Sequence, residues 1–60
     1  MIAIITNTNN RIDIEHNQCT LKEMAKRVKK ELEYFTKQHV IITIDGIQYS
    51  RQKFINDEVG

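Results

Sequence analysis

The sixty-residue chain carries nine basic and eight acidic side chains, a net charge of +1, one cysteine and no proline. A lone cysteine excludes an internal disulfide, and near-neutral charge gives no global attraction to nucleic acid or to an anionic membrane. So short a chain buries only about 60% of the surface its unfolded form exposes, so self-association as a homodimer is the expected extra source of stability.

The opening run Met1-Ile2-Ala3-Ile4-Ile5 is apolar but too short for a signal-peptide core or a membrane span. With the single thiol of Cys19 suiting a reducing compartment, a cytoplasmic protein without membrane contact is expected. The bias toward Ile, Lys and Asn, whose codons are AT-rich, fits a low-GC bacterium or one of its phages or mobile elements.

From Ile2 to about His16 the pattern is that of a β-hairpin. Ile12 and Ile14 alternate with Arg11, Asp13 and Glu15, and the intervening Asn7-Thr8-Asn9-Asn10 favours a tight turn. Register decides which residues face the core. A three-residue loop places Ile2, Ile4, Ile12 and Ile14 on one face; a two- or four-residue loop pairs Ala3 and Ile5 with Ile12 and Ile14 instead. The first buries the larger set and is the expected register.

A helix is predicted from Thr20 to about Gln38. Thr20 and Glu23 have capping-box spacing, and Cys19 and Met24 sit where a hydrophobic staple forms. Leu21, Ala25, Val28, Leu32 and Phe35 make one apolar stripe, with Met24 at its margin.

The third segment is a second hairpin. Val40, Ile42 and Ile44 lead into Asp45-Gly46, a type I′ turn signal that pairs Ile44 with Ile47 and Ile42 with Tyr49. After Ser50 the chain reads two ways: a strand through about Gln52 with a loose tail, which is the expectation, or a short helix capped by Ser50 and carrying Phe54, Ile55 and Val59.

The expected fold is therefore α+β, in the order ββαββ: a four-stranded sheet with one amphipathic helix on one face. Sixty residues form one domain. In element order the chain resembles β-grasp and protein-G-like folds over most of its length. That resemblance rests on topology and implies no activity. The pairing of the first strand, with the third or with the fourth, stays open. Because the first and third strands are apolar nearly throughout, Ala3, Ile5 and Ile41 are expected to form an apolar patch on the sheet's far side, a face for a second copy.

Chemistry-bearing groups are sparse. His16 and Cys19, three apart before the helix, have the types of a nucleophile and its base, but no orienting third group accompanies them. As zinc ligands they lack partners, since His39 lies near the helix's far end, where a histidine is expected to pack or cap. Asp13 and Glu15 share a polar strand face, and Asp57 and Glu58 a polar end. No enzyme, cofactor or metal site is expected. The helix's outer face carries Lys22, Lys26, Lys29, Lys30 and Lys37, interrupted by Glu33, and beside them Arg27, Lys30 and Tyr34 form a cluster. Tyrosine and arginine are enriched where interfaces carry binding energy. The expected function is a small non-enzymatic regulator or inhibitor that binds another protein through Arg27, Lys30, Tyr34 and Lys26. The alternative is a nucleic-acid-binding protein using the lysine stripe.

Overall fold

A computed structural model describes all sixty residues. Two hairpins flank one long helix, and a short helix follows: β1 (Ile2–Thr6), β2 (Arg11–Glu15), α1 (Leu21–Leu32) with a 3-10 extension (Glu33–Phe35), β3 (Ile41–Ile44), β4 (Ile47–Tyr49) and α2 (Arg51–Ile55). The fold is α+β, with one antiparallel sheet in the order β2-β1-β3-β4. The first strand thus lies beside the third and not the fourth. β2 and β3, both antiparallel to β1, run parallel to each other, and α1 makes the crossover between them. No helix is long and apolar enough to cross a membrane.

The register of the first hairpin is the alternative one. Ala3 pairs with Ile14, Ile5 with Ile12 and Thr6 with Arg11, across the four-residue loop Asn7–Asn10. The asparagines decide this. Asn7 Oδ1 accepts from the N–H groups of Asn9 and Asn10 at 3.0 and 2.7 Å, and the Asn7 N–H donates to the Asn10 carbonyl at 2.9 Å. This side-chain-closed turn fixes the loop length, and a strand's period of two then sends Ala3 and Ile5 inward. Both are fully buried, whereas Ile2 is exposed. The expected patch of Ala3, Ile5 and Ile41 does not form: Ala3 and Ile5 belong to the core, and Ile41 lies on the opposite face.

The second hairpin matches its sequence signal. Ile44 pairs with Ile47 and Ile42 with Tyr49, and Asp45 and Gly46 take the two positive φ angles of a type I′ turn, 49° and 82°. Asp45 has a second use. Its carboxylate accepts the Ile2 N–H and its own N–H donates to the Ile2 carbonyl, both at 2.8 Å, clamping the start of β1 to the turn.

The helix starts as expected. Thr20 Oγ1 accepts the Glu23 N–H at 3.2 Å, and Glu23 Oε1 accepts the Thr20 N–H at 3.3 Å, closing the capping box. Cys19 packs at the margin of the core that contains Met24. The apolar stripe is rotated slightly from expectation: Met24 is fully buried and Leu21 only partly. The α-helix ends earlier than Gln38. Its last turn tightens over Glu33–Phe35, and Lys37 turns the chain with a φ of 63°.

After Ser50 the chain is a helix, not a strand with a loose tail. Ser50 occupies the N-cap position but makes no side-chain cap bond. The segment is held by burial instead, with Phe54 and Val59 in the core and Phe54 meeting Tyr49 edge-on at 5.9 Å. A Schellman motif ends it. The Glu58 N–H donates to the Lys53 carbonyl, the Asp57 N–H to the Phe54 carbonyl, and Asp57 sits at a φ of 55°. Arg51 then ties α2 to the end of the long helix, its guanidinium donating to the Phe35 and Gln38 carbonyls at 2.8 Å each. That is the capping work expected of His39, which is exposed instead.

All eleven buried residues are apolar, and β1, α1, β3 and the C-terminal segment each contribute to that core.

Candidate functional site

The sheet's inner face is filled by α1 and by Phe54 and Val59 of the C-terminal segment, which leaves the outer side of α1 as the principal charged surface. Lys22, Lys26, Arg27 and Lys30 are exposed on that helix. Tyr34 stands one turn beyond Lys30, on the 3-10 extension, and is 74% exposed. Residues three and four apart are neighbours on a helix surface, so Arg27, Lys30 and Tyr34 line one side of it. The basic set divides. Lys29 leans toward the C-terminal segment and pairs with Asp57 at 3.2 Å. Lys22 and Lys26 rim an open cleft of about 350 Å³ between α1 and that segment. Lys37 lies in the turn beyond the extension. Lys29 is the one α1 cation held in an ion pair; Lys22, Lys26, Arg27 and Lys30 have no carboxylate within bridging distance.

Glu23 belongs to both the cap and this face. The Thr20 backbone N–H and then its hydroxyl hold the Glu23 carboxyl below the ordinary carboxylate range, with smaller pulls from His16 and Arg27, against weak desolvation. Because the folded value is the lower one, the carboxylate's contribution is complete above the ordinary range and is lost as pH falls through the depressed value. Acid titration through the carboxylate range should therefore lower the melting temperature of the native chain more than that of Glu23→Gln. Parallel thermal melts of the two proteins check this.

The other candidates do not converge. The Cys19 thiol approaches the His16 carbonyl at 3.7 Å, a contact with backbone and not with imidazole. His16 Nδ1 is buried without a hydrogen-bond partner. No three His, Cys, Asp or Glu side chains gather in a metal-ligand arrangement. Asp13 bonds Arg11 at 2.8 Å on the exposed strand face, an interaction that raises the Arg11 pKa through the hydrogen bond first and charge second. Glu15 is exposed on the same face, and Glu58 is exposed at the end of the C-terminal segment.

Sequence reasoning missed Asp45 as a strand clamp and Arg51 as the tie between helices. Asp-Gly signals only a turn, and the carbonyls Arg51 bonds lie thirteen and sixteen residues earlier in the chain. No protein-family model, curated protein or solved structure matches the chain.

Proposed function

We propose that the chain is a small, non-enzymatic regulatory or inhibitory protein that binds an acidic surface of another protein in the cytoplasm, a role suited to a phage or other mobile element. The observation that carries this reading is Tyr34, an aromatic ring 74% exposed beside the unpaired cations Arg27 and Lys30. A flat, amphipathic side chain with few rotatable bonds loses little entropy when covered, and a guanidinium reads carboxylates bidentately. Lys26 extends the same face.

The test is capture from host lysate by the immobilised protein, repeated with variants. Tyr34→Ala and Arg27→Ala are each expected to weaken binding at least tenfold, about 1.4 kcal/mol or more, as anchors at the centre of an interface do. Gln48→Ala, on the sheet's far face, is expected to leave it unchanged. A captured protein that all three variants retain equally would defeat the proposal.

The four unpaired cations also support nucleic-acid binding as a second reading. That reading expects a mobility shift at low salt on duplex or single-stranded probes, with affinity falling steeply as salt rises. Binding to a protein partner through Tyr34 carries no such requirement.

A further inference from the structure

The sheet has two outer edges, and they differ. β4 is three residues long, leads directly into α2 and turns a single residue, Gln48, outward between its ladder pairs. β2 has five residues with no proline, glycine or bulge, and its three charged side chains carry both signs, so they can be matched by a second strand as well as repel one. Its hydrogen-bond phase is fixed by the pairs around it. Met1 and His16 exchange bonds at 3.1 and 3.0 Å, and the Asn7 N–H reaches the Asn10 carbonyl. Ladder pairs alternate between bonded and non-bonded, so Ile14 and Ile12 spend their backbone groups on Ala3 and Ile5. The N–H and C=O groups of Arg11, Asp13 and Glu15 therefore point away from the sheet. On the core side of the same strand, Ile12 and Ile14 are only half-buried.

We infer that a second copy of this chain pairs antiparallel along β2, centred on Asp13. The argument is the strand's own charge pattern, Arg11-Ile12-Asp13-Ile14-Glu15. Turned end for end about Asp13, it sets Arg11 against Glu15 of the second copy and Glu15 against its Arg11. Ile12 meets Ile14 on the core side. The residues brought opposite each other with free backbone groups are Arg11 with Glu15 and Asp13 with Asp13, so each such pair exchanges two N–H···O=C bonds. The central acids face each other, but each already holds the Arg11 of its own strand at 2.8 Å. The product is a continuous eight-stranded antiparallel sheet with a two-fold axis between the two Asp13 residues. The half-covered isoleucines are closed by their counterparts, and the outer helix faces stay free.

The test is sedimentation velocity over a range of concentrations, with backbone amide exchange in parallel. The native chain should pass from monomer to dimer as concentration rises, and the Arg11, Asp13 and Glu15 amides should gain protection over the same range. Asp13→Pro removes an outward N–H while leaving every bond to β1, so it should stay folded by circular dichroism and remain monomeric. Arg11→Glu should weaken association by roughly tenfold or more through like-charge opposition. The exchange R11E/E15R should restore it, which a register pairing Arg11 with Asp13 would not allow. A monomer up to the solubility limit, a folded Asp13→Pro that associates like the native chain, or failure of the exchange to restore association would each overturn the inference. If Asp13→Pro does not fold, the amide protection and the charge exchange decide.

Discussion

Phe54→Ala is expected to leave a large fraction of the chain unfolded at room temperature. Truncating a buried phenylalanine costs about 3–5 kcal/mol, from lost transfer energy and the cavity left behind. A domain of this size has a net stability of only about 3–9 kcal/mol. Phe54 is the largest of the fully buried side chains and meets the Tyr49 ring edge-on. It also anchors a helix that has no N-terminal side-chain cap, leaving Val59 as the only buried apolar side chain of the C-terminal segment once the ring is gone. Urea titration followed by circular dichroism measures the loss. A midpoint close to that of the native chain would show that the C-terminal segment is dispensable.

The second large effect separates two adjacent isoleucines. Ile5→Ala should cost about 2–5 kcal/mol, because Ile5 is fully buried under the helix. Ile4→Ala should cost about 1 kcal/mol or less, since its side chain stands on the open face and is only partly covered. The three-residue-loop register predicts the opposite order, so equilibrium unfolding of the two variants tests which face of β1 turns inward.

Much of this architecture is legible in the residues. Thr20 and Glu23 mark the helix start because a capping box is local, contained within four positions. Asp45-Gly46 marks the second hairpin for the same reason. The first hairpin was not legible to the same degree. Met1 to Ile5 is apolar on both faces, so its pattern is satisfied by either register, and the choice falls to bonds made by the Asn7 side chain. The C-terminal helix was visible only as an alternative. Ser50 looks like a cap yet makes no cap bond, and what orders the segment is Phe54 meeting Tyr49 and Arg51 reaching Phe35 and Gln38. Such contacts belong to tertiary structure and leave no periodic trace. For the helix's outer face, spacing alone placed Arg27, Lys30 and Tyr34 together. The pairing of Lys29 with Asp57 depends on where α2 packs, which spacing does not encode.

The central position of β1 bears on how the protein is made. β1, made before the other three strands of the sheet, sits in its middle, and one of its two neighbours, β3, lies about forty positions later. The core joins Ala3 to Val59. A nascent chain that has reached only Leu32 holds one hairpin and one helix, with Ile5, Met24 and Val28 lacking the strands and the ring that later cover them. Folding therefore waits until β3 and Val59 have been made, and its rate is set by closure of long loops more than by the ready formation of the helix. During translation, the apolar stripe of α1 is the surface a chaperone would meet.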